Sequence, residues 1–127
     1  MTTLANECIP FYEPGQRVTG RAKSDVTGKR LVDVSGNRED GLIGIAHATA
    51  GAKCFGVASH DALDGENVTV IGSGAIVPVT AGNATISAGA EVEVISGGKC
   101  QAKASGVAVG ICVNGCSANA DAQVKLY

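Results

Sequence analysis

Large side chains are scarce in this sequence. Its 127 residues include no Trp, two Phe, two Tyr and one Met. Aromatic platforms on which single-stranded bases could stack are therefore nearly absent, and few large anchors remain for burying a small ligand. An excess of charge of one sign is also missing. Ten Lys and Arg stand against twelve Asp and Glu, for a net charge of −2, and no window gathers the basic residues. The electrostatic footprint of a nucleic-acid-binding domain is thus excluded. No apolar run approaches the roughly 18 residues that a membrane-spanning helix requires. The opening, MTTLANECIPFYEPG, has neither the basic start nor the apolar core of a signal peptide. The expectation is a protein made in, and kept in, a soluble reducing compartment.

Small β-branched and glycine residues dominate what is present. Apolar residues make up 45% of the chain, mostly Ala, Val and Ile, and eighteen glycines punctuate them without a period. Val and Ile are stiff at χ1 and pack well on a pleated surface. Short apolar runs broken by glycine imply many short strands joined by many turns. Alternation of apolar and polar residues predicts strands over 17–23, 30–35, 42–48, 53–59, 67–71, 75–80, 91–95, 99–104, 107–113 and 122–127. One helical turn is expected over 60–66, with Asp61 as cap and Gly65 as stop. Glu91 and Glu93 alternate on the outer face of their strand and are expected to be solvated.

The predicted fold is therefore all-β. It is a compact β-sandwich or small barrel of short antiparallel strands, with at most one short helical turn and an extended N-terminal arm. The arm is residues 1–15, in which Pro10 and Pro14 hold an extended path around Phe11 and Tyr12. Residues 16–127 form a single β-rich domain with a weak internal hairpin repeat. GENVTVIGSGAIVPV, from Gly65, echoes GAEVEVISGGKCQAK, from Gly89. A second echo links FGVASHDALDGENVTV (55–70) with VGICVNGCSANADAQVKL (109–126). Two copies indicate a pseudo-duplication and not a solenoid.

The segment VIGSGAIVPV (70–79) imitates a dinucleotide fingerprint. That fingerprint needs a strand leading through glycines into a helix whose N-terminal amides hold the pyrophosphate. Here Gly74 is followed by Ala75, Ile76, Val77, Pro78, Val79 and Thr80, which have no helical period. The glycines read instead as a hairpin turn, with Pro78 on an edge strand. No cofactor is expected. His60 with Asp61, Asp64 and Glu66 is the one local group of titratable residues around a His, and it reads as a polar surface turn. Cys112 and Cys116 are spaced C-x3-C, but no second pair is near, and His47 and His60 are far away in sequence. No metal site is expected, and an odd total of five cysteines precludes a complete disulfide framework. The thiols read as small buried hydrophobes.

Two stretches in order, NECIPFYEPGQRVTGRAKSDVTGKRLVDVSGN and FGVASHDALDGENVTVIGSGAIVPVTAG, resemble the phage capsid cement, or decoration, proteins. The resemblance extends through GVAVGICV (106–113) to the closing DAQVKLY. It implies a non-enzymatic structural protein that binds the major capsid protein on the outside of the mature shell and stabilises it. It also implies self-assembly as a homotrimer, synthesis in the host cytoplasm, and neither nucleic-acid nor membrane partners. Arms of similar proteins lie along the capsid, a role that would fall to residues 1–24. Ile9, Pro10, Phe11, Tyr12 and Pro14 are the candidate capsid-binding residues. Two alternatives stand beside this reading: a carbohydrate- or receptor-binding β module on a phage head, and a small enzyme centred on His60 and Asp61.

Overall fold

The computed structural model describes residues 6, 7, 9, 11 and 16–127. Ten strands and one 3-10 turn, Ser96–Gly98, make up its regular structure. The first five strands are β1 (Arg17–Ala22), β2 (Leu31–Val34), β3 (Ile43–His47), β4 (Gly56–Ala58) and β5 (Asn67–Ile71). They close into a barrel in the order β1-β3-β2-β4-β5, sealed where β5 returns to β1. The next five are β6 (Ile76–Thr80), β7 (Glu91–Val94), β8 (Cys100–Ala102), β9 (Gly110–Asn114) and β10 (Asp121–Leu126). They form a second sheet in the order β6-β10-β9-β7-β8. The chain is all-β, as its alternation implies. The β1–β3 ladder is parallel, however, in an otherwise antiparallel set.

Alternation explains the strands. In β10 every second residue is buried, and β1 and β6 follow the same rule. One side of β1 thus sends Val18 and Ala22 into the barrel with Val68 and Val70 of β5. β2 is different, because both of its faces are covered. Val32 points into the barrel, while Leu31 points out into the core of the second sheet.

The two halves are built alike. Val18 pairs with Val70 in β1–β5, and Val77 pairs with Val124 in β6–β10. Val26 and Ala62 form an isolated antiparallel bridge, as do Ile86 and Cys116. The amides of Lys29 and Gly89 donate to the carbonyls of Ala58 and Cys112 respectively. Residues 55–70 and 109–124 therefore hold equivalent places, along the second of the two sequence echoes. The GSG segment is not a hairpin turn. β5 bonds to β1 and β4, and β6 bonds to β10. Residues 72–75 link the two units, with Gly74 at φ +84°, a conformation that suits glycine. The stretch equated with it, β7 to β8, is a true hairpin, turning through Gly97 and Gly98.

The helical turn expected at 60–66 is absent. Ala62 bridges to Val26 there, and the surrounding backbone turns without winding. Pro78 does lie on an edge strand. The free edge of β6 faces the first unit, where the Thr80 amide donates to the Lys29 carbonyl. Pro78, two residues earlier, has no amide to leave unpaired along that edge.

Candidate functional site

Of the five candidate binding residues, Ile9 and Phe11 are described. Pro10, Tyr12 and Pro14 lie outside the described residues. Ile9 is 72% exposed and Phe11 86% exposed. A lone apolar side chain on a surface is ordinary, but here two large ones stand two residues apart, outside both sheets. The Arg38 guanidinium lies 5.4 Å from the centre of the Phe11 ring. A contact of this kind is worth about 0.5–1 kcal/mol at an exposed site. The segment ends sooner than residue 24, since Arg17–Ala22 are strand β1, bonded on both sides.

Arg38 is held in place by its own loop. Glu39 and Leu42 exchange backbone hydrogen bonds of 3.0 and 2.8 Å. Glu39 pairs with Lys23 at 3.1 Å and Asp40 with Arg21 at 2.9 Å, so both acids tie the loop to the end of β1. Nothing in the sequence marks Arg38, because a single Arg in a charged loop has no periodicity. The structure places it over the Phe11 ring.

The His60 cluster does not form a catalytic pair. His60 Nδ1 donates to the backbone carbonyl of Asp61 at 2.9 Å, while the Asp61 carboxylate accepts from the Gly28 amide at 2.8 Å. Glu66 accepts from the Leu63 amide and Asp25 from the Asp64 amide. Three of these acids thus cap backbone turns around a shallow groove of about 300 Å³. Among the described residues, no three His, Cys, Asp or Glu side chains are placed to hold a metal ion. Gly72–Gly74 leads into strand β6 and not into a helix.

The described cysteines are free thiols. Burial pushes Cys54 up to about 11 and Cys100 up to about 12, far from the thiolate that reactivity requires. Cys8 lies outside the described residues. Glu93 departs from the sequence expectation, being only 4% exposed. It does point away from the core, but the loop after β8 folds over it. Its carboxylate accepts from the Ala104 amide at 2.6 Å and the Gln101 side chain at 3.3 Å. The Ala104 bond, first among these, holds its carboxyl below the usual carboxylate range. Glu91 remains exposed and accepts from the Tyr127 hydroxyl at 2.7 Å.

An all-β chain with no assembled catalytic or metal group among its described residues is best understood through its relatives. The family model for phage cement proteins matches residues 12–127. The chain belongs to the phage cement protein family. It is accordingly a structural protein of the phage head and a component of the virion. Among solved structures, this cement protein is similar to the N base of head fiber gp8.5 in bacteriophage phi29. The match has a TM-score of 0.72 at 24% identity and covers 87% of this chain and 92% of that one. It shows a shared fold. No curated protein matches the chain.

Proposed function

We propose that this cement protein binds the outside of the assembled phage shell through its N-terminal segment and stabilises the mature particle without catalysis. Its partner is the major capsid protein, and it assembles with itself as a homotrimer. The family match over 12–127 supports the role. The exposure of Ile9 and Phe11, outside both sheets, supports the segment as the contact. Pro10, Tyr12 and Pro14 complete the proposed contact, with the prolines limiting the conformations that binding must select. Many copies on a symmetric shell need only modest affinity each, because simultaneous contacts multiply it.

Co-sedimentation of the purified protein with expanded, undecorated capsids tests this reading. Burying Ile9 and Phe11 fully would supply about 1.5–3 kcal/mol each. Replacing both with Ala should therefore weaken capsid binding by about a hundredfold to ten-thousandfold. The domain itself should stay folded, because neither residue belongs to a core cluster. Light scattering of the free protein should give the mass of three chains. Unchanged pelleting of the double variant would remove the segment from the proposed contact, and a monomeric mass would remove the trimer.

A further inference from the structure

The two units share a strand order but not a way of closing. In the first unit β1 and β3 pair in parallel at three positions, Gly20–Ile43, Arg21–Gly44 and Ala22–Ile45. The equivalent strands of the second unit, β6 and β8, meet at a single bridge, Ala81–Cys100. The Gly82 amide donates to the Cys100 carbonyl there at 3.0 Å, just as Lys23 donates to Ile45 in the first unit. The second barrel is thus pinned at one point along this side.

Core composition follows this difference. The interior of the first barrel consists of Val18, Ala22, Val26, Val32, Ile45, Ala58, Ala62, Val68 and Val70, with Ile43 and Phe55 against it. All of them belong to the first unit. The second core draws on both units, because Leu31, Ala48 and Val57 of the first are buried in it at 0%, 4% and 2% exposure. Hydrogen bonds fix the joint: Gly51 N to Val94 O at 2.8 Å, Thr80 N to Lys29 O at 2.9 Å, and Arg30 Nη1 to Gly97 O at 3.0 Å. Leu31 therefore acts as a stopper, while its neighbour Val32 serves its own barrel.

We infer that the first unit is a self-sufficient barrel whose outer face, centred on Leu31 and Val57, is a docking surface for an open barrel of the same fold, and that the second unit depends on that contact while the first does not. The equivalent face of the second unit shows what an unpartnered version looks like. Glu91 stands where Leu31 does and Lys125 where Ile71 does, while Ile111 keeps the apolar place of Val57, so the far end of the tandem carries two charges where the first face carries none. That substitution is the usual mark of a terminal repeat.

Amide hydrogen exchange on the full-length chain tests the dependence. In Leu31→Glu, which installs the residue of the equivalent position, amides of β6–β10 should exchange at least about tenfold faster, with β1 and β5 within about twofold of wild type. Leu31→Ala should give the same pattern more weakly. Val124→Ala, inside the second unit, should accelerate only the second unit. Ile45→Ala, inside the first, should accelerate both. Equal acceleration of both units in Leu31→Glu and Leu31→Ala would overturn the inference, as would an Ile45→Ala effect confined to the first unit.

Discussion

Gly110 is the most informative single position for the strand register, because its neighbours leave no room for a side chain. It lies in β9 between Leu126 of β10 and Val92 of β7. A Cβ built there would stand 2.7 Å from the Lys125 carbonyl oxygen and 2.7 Å from Val124 Cγ1. Both distances fall about 0.7 Å short of the 3.4 Å at which ordinary contact begins. Neither obstacle can step aside cheaply. The carbonyl is backbone within the sheet, and Val124 is fully buried with a stiff χ1.

Gly110→Ala therefore has to part β9 from β10 or push Val124 off its rotamer. Overpacking of this kind costs about 1–3 kcal/mol, and two immovable neighbours favour the upper part of that range. Restricting the unfolded chain returns about 0.4–1 kcal/mol. The net destabilisation should be about 1–2.5 kcal/mol, which for a domain of this size lowers Tm by about 4–10 °C. Differential scanning calorimetry at fixed pH measures it directly. Gly56 occupies the equivalent place, its Cβ colliding with the Ile71 carbonyl and standing 2.7 Å from Val70 Cγ1. Gly56→Ala should show a loss of similar size. A Gly110→Ala protein melting within about 1 °C of wild type would refute the close approach of β9 to β10.

Two further outcomes are expected. The Thr27 amide donates to His47 Nε2 at 3.0 Å, and burial, followed by the nearby Arg30 charge, lowers His47 below its usual 6.5. The unfolded chain then binds more protons than the folded one just below that value, so stability should fall as pH drops from about 7.5 to about 5. His47→Gln should flatten that part of the Tm-versus-pH curve, and a flat wild-type curve would contradict the assignment. Thiol titration with a chromogenic disulfide should find Cys100 and Cys112 unreactive at neutral pH in the native protein, and all five cysteines reactive once it is unfolded. Rapid native labelling of Cys100 would mean that the second unit opens readily.

The strands could be read from the sequence because each carries its own period. EVEV at 91–94 and DAQVKL at 121–126 alternate whatever they pair with. Pairing is a different matter. That β5 should join β1 and β4, and not the adjacent β6, depends on partners such as Val18 for Val70 and Val57 for Ile71, which lie well back along the chain. Local pattern holds no record of that, so GSG looked like a hairpin. Glu93 shows the same limit at one residue. Alternation correctly turned it away from the core, but burial came from a loop that folds over the outer face and donates the Ala104 amide. Arg38 was illegible for a related reason, since its ring partner is 27 positions away. The exposure of Phe11 is legible because the segment bracketed by Pro10 and Pro14, before the first alternating strand, has no period of its own.

Comparing the two barrels position by position explains three of the five cysteines as apolar filling. Val18, Ala22 and Val32 of the first interior correspond to Val77, Ala81 and Val92 of the second. Where the interiors differ, the changes run in both directions, the largest being Val79 at the place of Gly20. Cys100 stands at the place of Ile45 and Ala122 at that of Val68, both smaller. Cys112 stands at the place of Ala58, Cys116 at that of Ala62 and Ile86 at that of Val26, all larger. Cores tolerate several apolar exchanges at once when total volume and pattern are kept. A thiol is a small, weakly polar filler between alanine and valine in size. Three of the five cysteines thus sit where one barrel interior was repacked within an unchanged ladder of backbone bonds.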